Sequence, residues 1–186
     1  MTALLVFISL AQLPAQKRKY PKVTVQIDIN HPIKESFEYM VPMDLEHIFH
    51  PYKNLPGIDS TSNKEPWYTP GMQRTVYFDD GSTSQEYLLT LTPHSGFTYQ
   101  VNDFTSALRK IVKQINGSWT FEETSNGNTH IEWTYEFVPK HFLARFLINT
   151  MVKKRIQTPM NNALNIMKEE LESGNLYPYK RRVGNW

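Results

Sequence analysis

Arg74, Asp103 and Lys113 fall in phase with apolar residues of strand-like runs, and so do Tyr99 and Tyr135. Residues in one phase of a strand point to one face of a sheet. On a face that bounds a pocket, Arg74 and Lys113 could meet a ligand carboxylate, with Asp103 orienting them. Asp103, Arg74 and Tyr135 are the candidate catalytic groups, with Tyr99 beside them as a further acid, base or oxyanion donor. A second reading competes. Charges are rarely buried without partners, so the three could sit at strand ends or past a β-bulge, in water. The residues alone assign none of them a catalytic role.

His47 and His50 lie three apart in a short helical stretch, next to Glu46. Such a pair could chelate a metal, but no HExxH pattern or third ligand accompanies it. A surface or packing role is the expectation, and no metal is expected. The chain has no cysteine, which excludes disulfides, thiolate catalysis and cysteine-held zinc. No GxSxG elbow, phosphate loop or dinucleotide fingerprint occurs. No cofactor is expected.

The elements that must position these groups follow a clear order. Val23, Val25, Ile27 and Ile29 alternate with polar residues and read as a strand. Pro32 to Val41 reads as a short helix started by proline, and Asp44 as the cap of a second helix reaching His50. Residues 52–71 read as a loop with room for one irregular strand. Strands are expected at Gln73–Phe78, Ser84–Thr92, Gly96–Phe104, Ile111–Glu122 and Thr129–Val138. Asp79-Asp80-Gly81 and Ser125-Asn126-Gly127-Asn128 supply hairpin turns. A long amphipathic helix, His141 to Glu172, carries Leu143, Leu147, Met151, Ile156, Met160, Leu164, Met167 and Leu171 at spacings of three to five. Pro159 predicts a kink in it, and Gly174 a stop. These elements predict an α+β fold: a curved antiparallel sheet wrapped around a long C-terminal helix, with two short helices after the first strand.

The stretches VQIDINHPIKESFEYMVPMDLEHIFHP, PGMQRTVYFDDGSTSQEYLLTLTP and NGSWTFEETSNGNTHIEWTYEFVPK carry a resemblance. With the final helix they resemble the helix-grip order of the START/Bet v 1-like (SRPBCC) superfamily, within it the polyketide cyclase/dehydrase and lipid-transport group. The resemblance spans roughly Lys22 to Leu171. It implies an apolar ligand held between sheet and helix. It carries over no catalytic residue, because catalytic groups differ from branch to branch.

On that fold, period two selects the residues expected to line the pocket. The strands contribute Val76, Phe78, Tyr87, Leu89, Tyr99, Val101, Trp119, Trp133 and Tyr135. The helix contributes Leu143, Phe146 and Thr150. Small-ligand sites are mostly apolar with a few polar anchors, as this set is.

Composition bounds the rest. The 186 residues suit one domain with tails. Residues 20–174 are the expected ligand-binding domain, 1–19 an export signal or N-terminal extension, and 175–186 a basic, aromatic tail. Ala3–Ala11 is apolar but too short to span a bilayer. It reads as the apolar part of an export signal at residues 1–16, though no Lys or Arg precedes it. The alternative is a cytoplasmic protein whose N-terminal segment packs on the domain. A net charge of +2 gives no argument for nucleic acid. The tail NLYPYKRRVGNW reads as disordered, with contact to an anionic membrane surface as its second reading. Binding of a lipid or other hydrophobic small molecule, without chemistry, is the expected function. The alternatives are a cyclase, dehydratase or hydrolase acting on an apolar polyketide-like substrate, and a protein-interaction module like the activators of the heat-shock chaperone ATPase.

Overall fold

The computed structural model describes residues 19–178. The expected export signal and the basic part of the C-terminal tail lie outside these residues. β1 (Lys22–Ile29) buries Val23, Val25 and Ile29 and exposes Lys22, Thr24 and Gln26, as period two requires. Pro32, at φ −59°, leads into α1 (Ile33–Met40), which buries Phe37 and Met40. α2 (Leu45–Ile48) ends before the expected His50. Pro51 disfavours helical geometry at the residue before it, so the chain unwinds from Phe49.

Six further strands complete the sheet: β2 (Ile58–Thr61), β3 (Gln73–Phe78), β4 (Thr83–Thr92), β5 (Gly96–Asn102), β6 (Val112–Glu123) and β7 (Thr129–Pro139). Their order is β1-β7-β6-β5-β4-β3-β2, with every pairing antiparallel. Gly81 at φ 79° and Gly127 at φ 75° close the two foreseen hairpins, where a side chain would strain the turn. β2 is the irregular strand allowed for within residues 52–71. β5 stops two residues short of Phe104, because Asp103 turns into the left-handed region at φ 49°.

The final helix is not one continuous α-helix. It comprises α3 (Phe142–Leu147), one wider π turn (Ile148–Val152) and α4 (Lys153–Ser173), which ends at Gly174. The π turn ends seven residues before the proline. Pro159 is accommodated inside α4 and is itself buried. His141 caps α3 by accepting a hydrogen bond at Nδ1 from the Ala144 N–H, 3.2 Å away.

α4 packs on β1, α1 and α2. It buries Met160, Ala163, Leu164, Met167 and Leu171, a stripe at helical spacing. Each large apolar side chain so buried stabilises the fold by about 1.5–3 kcal/mol. The far end is tied to β1, where Glu172 accepts from the Asn30 N–H at 2.7 Å and binds Lys168 at 2.8 Å. Before Pro159, only Ala144 and Ile148 are fully buried. One half of the helix rests on the sheet, and the other half stands off it.

Gly117 in β6 lies opposite Tyr99 in β5. A Cβ on Gly117 would come within 2.3 Å of the Tyr99 ring, so the bare backbone is what lets that ring lie across the sheet. Gly117→Ala should push the ring from its site and cost about 1–3 kcal/mol, as overpacking does. Chemical denaturation of the variant checks this, and unchanged stability would contradict the packing.

Candidate functional site

Where the helix stands off, a cavity of about 460 Å³ opens between it and the sheet. That volume is ordinary for a site holding a small organic ligand. Its floor is aromatic. Phe97 and Tyr99 come from β5, Trp119 from β6, and Trp133, Tyr135 and Phe137 from β7. Their rings run in sequence: Phe97–Trp119 at 5.6 Å, Trp119–Trp133 at 4.6 Å and Trp133–Tyr135 at 5.3 Å between centroids. Residues from the helix (Val152, Ile156, Pro159) and from the chain before β2 (Phe49, Leu55, Pro56) cover the floor. His50, Asn54, Asp80, Ala107 and Arg155 are the exposed members of the lining and form its rim.

Two charges sit on this apolar wall. Arg74 and Glu86 are each 5% exposed, and both line the cavity. Arg74 Nε donates to Glu86 Oε2 at 2.7 Å, and its Nη2 lies 2.7 Å from the same oxygen. The guanidinium also stacks over the Trp67 ring at 4.2 Å, a second source of stabilisation for the buried cation. The pair makes a net-neutral polar patch inside an apolar chamber.

The two buried phenols stand nearby. Trp133 Nε1 donates to the Tyr99 oxygen at 2.9 Å. Burial raises the Tyr99 pKa well above its ordinary value, helped by neighbouring Tyr135 and Glu86. Burial, then Glu86, raises that of Tyr135. Both remain protonated through the neutral range, so they can donate hydrogen bonds to a ligand but cannot act as bases there.

Of the residues expected at the pocket, Val76, Phe78, Tyr99, Val101, Trp119, Trp133 and Tyr135 line the cavity, and Arg74 joins them. The rest are corrected. Leu89 is 51% exposed, and Tyr87 packs beside Gln73 on the outer face. β4 turns Ser84, Glu86 and Leu88 inward, and its register then shifts between Leu88 and Thr90. Leu143, Phe146 and Thr150 are exposed on the outer side of the helix, and the Thr150 hydroxyl donates to the Phe146 carbonyl. Asp103 and Lys113 are exposed as well. Asp103 sits in the left-handed turn after β5, and Lys113 at the register shift between Val112 and Gln114. These two are therefore not placed to act on a molecule in the cavity.

Glu86, Ser84 and Trp67 were missed. For the first two a signal existed. A hairpin closed at Asp79-Asp80-Gly81 pairs Arg74 with Glu86 and Val76 with Ser84. Directly paired residues share a face, so an inward Arg74 requires an inward Glu86. His47 holds Glu170 through Nε2 and stacks on Tyr177 at 3.5 Å. Among the described residues, no group of three His, Asp or Glu could hold a metal ion.

Comparison with known proteins returns the same architecture. A family model described as "Polyketide cyclase / dehydrase and lipid transport" matches residues 20–172. The solved structure of Ara h 8.0201, a Bet v 1 homologue, is 16% identical with a TM-score of 0.62, covering 82% of this chain and 98% of that one. DynU16, from the dynemicin biosynthetic locus, is 15% identical with a TM-score of 0.55. The match covers 89% of this chain but only 56% of DynU16. The Aha1 dimer from Colwellia psychrerythraea is 14% identical with a TM-score of 0.57, covering 83% and 98%. At these identities the likeness establishes the fold. No curated protein matches the sequence.

Two outcomes follow from this geometry. Glu86→Gln should destabilise the fold by about 3–5 kcal/mol, because it leaves the Arg74 charge buried without its partner. The double variant Arg74→Met/Glu86→Leu should recover most of that loss in the same thermal denaturation, and failure to recover would assign the cost to packing alone. Alkaline titration tests the phenols. Tyr99 and Tyr135 have native pKa values above the ordinary 10.0, so above that pH the native state holds more protons than the unfolded chain. Their contribution is fully present below pH 10 and is lost as pH rises beyond it. Tyrosinate absorbance should show the exposed phenols ionising first and these two only with unfolding, whereas one common titration would contradict their burial.

Proposed function

From the premise that the chain belongs to the polyketide cyclase/dehydrase and lipid-transport family, we propose that it binds a lipid or other hydrophobic small molecule in the cavity between sheet and helix. Residues 20–174 are the binding domain in this reading. The carrying observation is the aromatic chamber with a buried Arg74–Glu86 pair on its wall. An apolar body would bury against Trp119, Trp133 and Phe137. A single polar group, a hydroxyl or carbonyl, would meet Arg74 or the phenols of Tyr99 and Tyr135. Such a group offsets its own desolvation by bonding to donors already held in place.

Binding is favoured over catalysis by the state of the polar groups. Glu86 is engaged by Arg74, and both phenols stay protonated. The polar groups within the chamber are therefore paired or protonated, and the remaining groups of its lining that can take a proton, His50 and Asp80, lie out on the exposed rim. A cyclase or dehydratase needs a group that takes a proton within reach of its substrate. An open cavity also argues against a purely protein-binding role, which needs no internal chamber.

Native mass spectrometry of gently purified protein, with solvent extraction, tests this reading. A co-purified apolar molecule is the expected result. In parallel, Val101→Trp and Ser84→Phe project bulk into the cavity and should weaken an apolar fluorescent probe roughly tenfold, or about 1.4 kcal/mol. Unchanged probe affinity in both folded variants would remove the cavity as the binding site.

A further inference from the structure

The helical segment that stands off the sheet carries an unusual outer surface. Phe142 is 85% exposed, Leu143 67%, Phe146 65% and Met151 46%. Phe142 lies four and Leu143 three residues before Phe146, and Met151 follows five later across the π turn, so they form one apolar strip. Soluble proteins seldom leave such a strip uncovered without an interaction to serve. The charge along the helical segment itself has one sign. From Lys140 through Lys168 the chain contains no Asp or Glu, while Arg145, Lys153, Lys154 and Arg155 flank the strip. Arg155 is also on the cavity rim, and the π turn (Ile148–Val152) joins strip and rim directly. Lys140 N–H donates to the Ile111 carbonyl at 2.9 Å, which brings exposed Arg109, Lys110 and Lys113 to the same corner.

We infer that α3 docks this face on an anionic lipid bilayer, with the cavity rim held at the lipid surface. Apolar side chains flanked by Lys and Arg are the chemistry of a helix lying in a membrane interface. Anionic headgroups draw the basic flank, and the strip then buries at the acyl boundary. A second copy of the chain fits less well. A twofold interface would set each basic flank against its own image, with no acid from this segment to offset it. Asp80 is on the same cavity rim as Arg155, while Asp79 follows β3 and Asp103 follows β5, and none of the three lies in the helical segment that carries the strip. The inference extends the ligand-binding reading by naming where an apolar molecule would enter, but it stands on residues outside the cavity.

The test uses the full chain and flotation with two vesicle types: phosphatidylcholine alone, and phosphatidylcholine with phosphatidylserine. Binding should be specific to the anionic vesicles and fall with added salt. Leu143→Ser/Phe146→Ser should weaken it by roughly tenfold or more, and Lys153→Glu/Lys154→Glu likewise. Both pairs are largely outside the core, and unchanged uptake of the soluble apolar probe will show that fold and cavity persist. Phe7→Ser/Leu10→Ser, in the N-terminal apolar run, should leave binding intact. The inference is overturned if the native chain binds neither vesicle, if Leu143→Ser/Phe146→Ser binds as the native chain does, or if only the N-terminal variant loses binding. It is also overturned if Leu143→Ser/Phe146→Ser converts a dimer to a monomer in light scattering while vesicle binding is unchanged. Loss of probe uptake in the cavity-filling variants with vesicle binding intact would support docking and separate it from the cavity.

Discussion

The incomplete contact between the C-terminal helical segment and the sheet governs this structure. α4 meets β1, α1 and α2 through Met160, Ala163, Leu164, Met167 and Leu171, and that contact closes the core. Before Pro159 only Ala144 and Ile148 of the helical segment are fully buried, and most of its other side chains are exposed or half-buried. The gap that results cannot be filled by backbone, because helix and sheet both hold their geometry through their own hydrogen bonds. Ile156, Val152 and Pro159 reach into it from above, and the aromatic rings of β5, β6 and β7 form its base. The cavity is thus a consequence of where the helix stops touching.

An apolar chamber sets strict conditions on any charge within it. Removing two ions from water costs several kcal/mol each, and only close pairing offsets this. Arg74 and Glu86 meet that condition by sitting directly opposite each other on β3 and β4, with Trp67 stacked on the guanidinium. Tyr99 and Tyr135 meet it by staying protonated. The polar groups are therefore stable without a ligand and still available to orient one. Such an interior suits recognition of a molecule that is mostly apolar with one polar end.

The same helix that creates the chamber also leaves an apolar surface outside it. Strip, π turn and rim follow one another along the chain from Phe142 to Arg155. A contact made by the strip would therefore act on the segment that covers the chamber. Single-turn π segments occur often where a helix serves a function. The fold links the entrance of the cavity to the surface most in need of a partner.

Much of the architecture was legible in the residues themselves. Alternating Ile131, Trp133, Tyr135 and Phe137, the Asp-Asp-Gly and Asn-Gly turns, and the apolar stripe of the last helix specify local geometry, so the succession of elements along the chain followed. The inward face of β5, β6 and β7 was legible for the same reason, since there the apolar phase is also the buried one. β4 was misread because the rule prefers apolar residues inward. Its inner face holds Ser84 and Glu86, stabilised by Arg74 on the neighbouring strand, while Tyr87 and Leu89 lie outside. The helix was misread in the same sense. Leu143, Phe146 and Met151 have core spacing, but Ala144 and Ile148 hold the buried face of that segment and leave these three on the outer one. Short-range periodicity is written in neighbouring residues. Burial depends on what lies across the space in front of them, and only the tertiary structure decided that.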